Sequence, residues 1–135
     1  MKKLTILTIL SLFFISCNKN ADVAFDSDAE KILGKWEWVK TEGGWGGTQT
    51  PETSGTTHQL FFQDEVVEYY FNDTLAFTQV YELSREKPDY LDDTISVIIF
   101  GNREKNRYSF SDENTLIIDP TNYIMDVGWS EYKRD

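Results

Sequence analysis

Residues 57–83 read THQLFFQDEVVEYYFNDTLAFTQVYEL, and this stretch decides the fold class. Large apolar residues alternate with polar ones along it, and a period of two predicts β-strands. Three such runs follow each other, at Thr57–Gln63, Val66–Phe71 and Thr74–Leu83. Gln63-Asp64-Glu65 separates the first two runs, and Asn72-Asp73, a tight hairpin signal, separates the last two. The stretch therefore predicts three consecutive strands joined by short turns.

The same alternation continues on both sides of this stretch. It begins at Trp36 and Trp38, and it returns after residue 93 in four further runs, each bounded by turn residues: Thr94–Phe100, Tyr108–Ser111, Thr115–Asp119 and Ile124–Lys133. Only the connections 42–56 and 84–93 are long. Strands joined mainly by hairpins must run antiparallel, because parallel strands need long crossovers. We therefore predict an all-β fold, a small antiparallel up-and-down barrel of about eight strands.

One short helix is predicted before the barrel. Ser27 and Glu30 have the spacing of a capping box, and Gly34 supplies a stop after Ile32-Leu33. These signals place the helix at about Asp28–Leu33, and no later segment is predicted to be helical.

The first sixteen residues have the layout of a secretory signal. Lys2 and Lys3 are followed by an apolar run from Leu4 to Ile15 that only Thr and Ser interrupt. The run is shorter than the roughly 20 apolar residues that span a bilayer. Residues 1–16 are therefore predicted to be a signal peptide that is cleaved off.

The junction Phe14-Ile15-Ser16-Cys17 resembles the lipobox of bacterial lipoproteins. The resemblance implies cleavage before Cys17, acylation of its thiol, and attachment to a membrane of the bacterial cell envelope, the outer membrane being favoured over the inner. Residues 17–26 would be the lipidated cysteine and a flexible tether, and residues 27–135 the barrel domain. Cys17 is the single cysteine, so no disulfide can form within the chain.

The charge of the chain bears on its partners. Removing residues 1–16 takes away Lys2 and Lys3 and no acidic residue, which moves the formal net charge from −10 to −12. Nucleic-acid binding is disfavoured, because Lys and Arg supply most of the affinity for phosphates. Binding to anionic lipid is disfavoured for the same reason. Membrane attachment is therefore expected to be covalent.

Gly34-Lys35-Trp36, at the opening of the first strand, is similar to the G-x-W signature of the lipocalins and their shorter bacterial relatives. The resemblance implies a lipocalin-like barrel whose base is closed by Trp36. It also implies that a basic residue from the last strand, here Arg134, packs over the tryptophan ring in a cation–π contact.

The loop Gly43-Gly44-Trp45-Gly46-Gly47 would then lie at the open mouth, because the first strand runs upward from the base. Trp45 could belong to a mobile lid over a ligand, or it could fold back on the barrel rim. His58 and Tyr81 are the other residues predicted to contact a ligand at the mouth.

The sequence contains few residues that are suited to catalysis. His58 is the only histidine, and acylation would consume the only thiol. Asp89 and Asp92-Asp93 are interpreted as solvated turn charge and not as a calcium site. We therefore expect no catalytic residues, no metal and no cofactor.

Many large side chains are expected to point into the barrel and to leave only a shallow cavity near the mouth: Trp36, Trp38, Phe62, Tyr69, Phe71, Phe77, Tyr81 and Phe110. Two functions remain open. The first is a membrane-tethered protein that binds a small apolar or amphipathic ligand at the mouth. The second is an interaction or inhibitor module of the cell envelope, with a filled core, that contacts another envelope protein.

Overall fold

The computed structural model describes residues 27–120 and 128–135. The described residues contain two short helices and eight strands. They are α1 (residues 27–31), β1 (Gly34–Glu42), α2 (Pro51–Ser54), β2 (His58–Phe62), β3 (Val66–Phe71), β4 (Thr74–Glu86), β5 (Ile95–Phe100), β6 (Lys105–Asp112), β7 (Thr115–Pro120) and β8 (Trp129–Lys133). None of the helices in these two ranges is long and apolar enough to cross a membrane.

The eight strands form a closed barrel. Each strand pairs antiparallel with the next, and β8 pairs with β1 to complete the circuit. The predicted all-β fold, an up-and-down antiparallel barrel after a short helix, is confirmed. The hairpin signal between β3 and β4 is also explained, because Asn72 and Asp73 have φ of 48° and 62°, as a type I′ turn requires.

The core fills the base of the barrel, where β1 begins. Alternate residues of the strands point inward there, and Ile32, the residue that follows α1, packs into this end. The residues that are fully buried include Ile32, Trp36, Phe62, Val67, Ile98 and Leu116. Burial of such side chains stabilises the fold by about 1.5–3 kcal/mol each, relative to leaving them exposed.

β4 is longer than predicted and is paired unequally on its two sides. It pairs with β3 from Thr74 to Val80, but with β5 only from Tyr81 to Glu86. In the described part of the chain, no strand continues the barrel wall beside residues 74–80. Phe71 and Phe77 were predicted to point into the barrel, and their register places them on the same face as Tyr69. They are nevertheless 40% and 48% exposed, because Phe77 has no β5 partner beside it and Phe71 lies at the mouth end of β3.

The first long connection contains a helical turn that was not predicted. In α2, the Thr50 hydroxyl accepts a hydrogen bond from the Thr53 backbone, Pro51 occupies the first turn, and Gly55 ends the helix with φ of 69°. The prediction of no helix after residue 33 was therefore wrong. The predicted start of the last strand, residues 124–127, lies outside the described residues.

Candidate functional site

The base of the barrel is closed by Trp36 and Arg134. Trp36 is fully buried, and its Nε1 donates a hydrogen bond of 2.7 Å to the Ile32 carbonyl. The guanidinium carbon of Arg134 lies 4.6 Å from the centroid of the Trp36 ring. Arg134 also donates to the carbonyls of Lys31, Leu33 and Glu113. Gly34, with φ of 110°, lets the chain turn from α1 into β1 at this point.

Two adjoining cavities lie at the opposite end, the mouth. The larger has a volume of about 400 Å³ and lies beneath the glycine loop, and the smaller has about 170 Å³ and reaches Trp38 and His58. They share one wall, formed by Thr41, Gln49, Ser130 and Tyr132. We call these two cavities together the mouth site. The volume of the larger cavity suits a small ligand, since ligand pockets commonly measure about 300–1,000 Å³.

A row of hydrogen-bonding side chains forms the shared wall. Trp38 Nε1 donates to Thr41 Oγ1 at 3.0 Å, and Thr41 Oγ1 lies 2.8 Å from Ser130 Oγ. The pairing of β1 with β8 sets Thr41 opposite Ser130. A hydroxyl can donate once and accept twice, so the Thr41 and Ser130 hydroxyls keep capacity for a ligand, whereas the single N–H of Trp38 is already used.

His58 occupies the floor of the smaller cavity, surrounded by aromatic rings. Its ring centroid lies 4.9 Å from that of Trp38 and 5.1 Å from that of Phe71. Its Nδ1 is hydrogen-bonded to the Tyr69 hydroxyl, and its Nε2 lies 3.4 Å from Thr56 Oγ1. Burial lowers the pKa of His58 below its ordinary value. The imidazole is therefore neutral at pH 7.

The two tyrosines of the mouth site are neutral as well. Burial raises the pKa of Tyr69. Burial, followed by the neighbouring Tyr69, raises the pKa of Tyr132. Both phenols therefore keep their protons and can donate hydrogen bonds. Asn106, another lining residue, is a buried amide. No described residue that lines the mouth site carries a formal charge at neutral pH.

The three residues predicted to contact a ligand have different locations. His58 lines the mouth site. Trp45 lies in the loop above it but is 90% exposed, so its ring is not folded back on the rim. Gly43, Gly46 and Gly47, its neighbours, do line the larger cavity.

Tyr81 does not lie at the mouth, and that prediction is corrected. Its hydroxyl donates to the Gln63 carbonyl at 2.8 Å, in the β2–β3 turn. Its ring packs edge-on against Phe62 at 5.0 Å. The physical reason is that β4 starts at the mouth and has descended to the base end of the barrel by residue 81.

Thr41, Ser130 and Tyr132 were missed as site residues. A signal existed for two of them, because Ser130 and Tyr132 are alternate residues of one strand and therefore share a face. Thr41 carried no such signal. A register shift between Trp38 and Lys40 breaks the alternation of β1 and brings Thr41 to the inner face.

The described residues offer little for metal binding. Within residues 27–120 and 128–135, no three His, Cys, Asp or Glu side chains cluster closely enough to hold a metal ion. Asp89, Asp92 and Asp93 are exposed in the connection between β4 and β5. Cys17, the predicted lipidation site, lies outside the described residues.

No known protein family, curated protein or solved structure matches this chain.

Proposed function

We propose that this chain is a membrane-tethered, lipocalin-like protein that binds a small amphipathic ligand at the mouth of its barrel. One observation carries the proposal: the barrel is closed at one end by Trp36 and Arg134, while the other end holds two adjoining cavities. Concave sites with apolar walls and a few convergent polar groups are the usual places where proteins bind small molecules.

The lower half of the barrel limits what can enter. Its core is filled by buried side chains such as Trp36, Phe62 and Ile98. A ligand would therefore be held at the mouth and not deep inside. The smaller cavity, with Trp38 and His58 in its lining, offers aromatic surface for an apolar group. The larger cavity offers the hydroxyl and amide groups for a polar one.

Ligand binding can be tested with tryptophan fluorescence, because Trp38 lies in the wall of the site. The chain from residue 17 onward, with Cys17→Ala, contains the complete barrel and can be titrated with a panel of lipids and metabolites. A saturable change in fluorescence is expected.

Ser130→Phe, which places a large ring at the wall shared by the two cavities, should abolish this change. Ser109→Phe, an exposed residue on β6, is the matched control and should retain it. Equal binding by Ser130→Phe, or no binding by any panel member, would reject the proposal.

Membrane tethering is a separate part of the proposal and rests on the lipobox resemblance at Cys17. The full chain expressed in bacteria with labelled palmitate should carry the label and sediment with membranes. The variant Cys17→Ala should lose both properties. Retention of both would contradict lipidation at this residue.

A second candidate function, contact with another envelope protein, is favoured by the upper half of β4. Residues 74–80 contain no charged residue, and Leu75 and Val80 are 48% and 60% exposed there. An uncharged strand edge with apolar side chains is a template for pairing with another chain. If this edge is the functional surface, Val80→Lys should abolish cross-linking to an envelope protein while ligand titrations stay unchanged. Cross-linking that survives Val80→Lys would argue against it.

A further inference from the structure

The described residues that line the mouth site carry no formal charge, although the chain has a formal net charge of −10. Its described lining offers hydroxyls, amides, an imidazole and aromatic rings, and no ammonium, guanidinium or carboxylate. The nearest lysine along β1, Lys40, is engaged elsewhere. Its Nζ lies 3.1 Å from Glu42 and 3.7 Å from Glu131, and 4.9 Å from the centroid of the Trp129 ring.

A charged ligand group would be disfavoured in this site. Moving an ion out of water is costly unless an opposite charge or several strong hydrogen bonds compensate it. The described lining has no opposite charge for either sign. An anion would in addition approach against the negative field of the whole chain.

An uncharged ligand group with several hydroxyls would find hydrogen-bond partners in this site. Thr41, Ser130 and Tyr132 present hydroxyls that retain unused donor or acceptor capacity beyond the bonds among them, and Asn106 adds an amide to the larger cavity. A ligand hydroxyl has the same two capacities, so it can pair with these groups in more than one orientation. At the rim, Phe77 stacks on Tyr69 with ring centroids 4.9 Å apart, next to the space that an alkyl or ring portion would occupy.

We infer that the mouth site selects neutral, hydroxyl-bearing ligands, such as a sugar or a sugar-headed lipid, over charged amphiphiles with the same apolar tail. This inference rests on the proposed function and specifies its ligand class. The absence of charge from its described lining is the feature that separates the site from one built for fatty acids or cationic amphiphiles.

Three amphiphiles with one tail test the inference: octyl glucoside, octanoate and octylammonium, each below its micelle-forming concentration. The chain from residue 17 onward with Cys17→Ala is titrated with each and followed by tryptophan fluorescence. Octyl glucoside is expected to bind at least about tenfold more tightly than the two charged compounds. A tenfold difference in Kd corresponds to the net contribution of about one hydrogen bond. Free glucose distinguishes the sources of the head group, because comparable affinity for it indicates a free sugar and much weaker affinity indicates a lipid.

Variants connect the preference to the named hydroxyls. Ser130→Ala and Tyr132→Phe should reduce the preference for octyl glucoside severalfold while binding of the alkyl chain persists. Ser109→Ala, on the outer face of β6, should leave it unchanged. Thermal melting shows which variants remain folded.

The possible failures are distinguishable. If octanoate or octylammonium binds as tightly as octyl glucoside, and Ser130→Phe abolishes that binding, the inference fails and the proposed function stands. If none of these compounds and no member of the wider panel binds saturably, both fail.

Discussion

Arg134 lies over the ring of Trp36, with its guanidinium carbon 4.6 Å from the ring centroid. The two residues belong to the first and last parts of the barrel, and their contact joins the ends of the domain. Arg134 adds hydrogen bonds to α1, to the residue before β1 and to the β6–β7 turn. A single side chain thus satisfies backbone carbonyls from three segments while covering the buried tryptophan. We expect the stability of the barrel to depend on it.

Arg134→Ala should lower the free energy of unfolding by about 2 kcal/mol, because it removes a cation–π contact and hydrogen bonds from a charged donor. Arg134→Lys should recover only part of this, since an ammonium group lacks the planar fork of donors. Arg107→Ala is the control. Arg107 pairs with Asp119 on the surface, where ion pairs contribute about 0–1 kcal/mol. Urea unfolding measures all three, and an equal loss for Arg134→Ala and Arg107→Ala would contradict the structural role.

His58 should make stability depend on pH. Its pKa is lowered by burial in the folded state, so the unfolded chain binds a proton more readily as the pH falls below about 6.5. Stability that is fully present above about pH 6.5 should therefore be lost as the pH falls toward the lowered pKa. His58→Gln should remove this contribution. The measurement is the difference in melting temperature between the two proteins from about pH 7.5 to about pH 5.5, where most carboxylates stay ionised. A difference that does not change with pH would refute the prediction.

How far the sequence predicted the fold can be judged from β3 and β4. Alternation and the Asn72-Asp73 signal predicted both strands and their turn, because each is a local property of the chain. Alternation also predicted that Phe77 would face inward. It could not predict that β5 stops beside Tyr81, which leaves Phe77 half exposed. That outcome depends on strand lengths and stagger around the whole barrel.

The mouth site was harder to predict than the base. Gly34 and Trp36 form a short local pattern at the start of β1, whereas Thr41 and Ser130 are ordinary residues that meet across 89 positions of sequence. Their contact exists only because β1 and β8 close the barrel in one register. The irregularity between Trp38 and Lys40 then decides which β1 residues face inward. Neither the closing register nor the irregularity leaves a local pattern in the sequence.

Gly128 should be sensitive to any side chain, because a Cβ at this position would overlap the backbone carbonyl of Glu42. Gly128→Ala would force β8 away from β1 next to the Thr41–Ser130 contact. We expect a loss of about 1–3 kcal/mol in stability, as for other overpacked positions. Gly46→Ala is the matched control, since its Cβ would meet only the flexible end of Gln49 at 3.1 Å. Thermal or urea unfolding of both variants measures this difference. Equal stability of Gly128→Ala and Gly46→Ala would show that the two strands accommodate the added Cβ without cost.

Trp45 provides the sharpest test of whether the mouth binds ligands. Its ring is 90% exposed, so it contributes little packing to the folded barrel. Trp45→Ala should therefore change the free energy of unfolding by no more than about 0.5 kcal/mol, as for most surface substitutions. A large exposed apolar ring on a glycine-flanked loop is nevertheless unusual unless something covers it in use.

If the ligand provides that cover, Trp45→Ala should weaken binding of octyl glucoside severalfold at unchanged stability. Tyr90→Ala, another exposed aromatic residue, lies in the connection between β4 and β5 and should leave binding unaltered. Isothermal titration calorimetry is the suitable measurement, because removing a tryptophan changes the fluorescence signal itself. If Trp45→Ala lowers stability and leaves affinity intact, the loop packs against the barrel in solution and takes no part in binding.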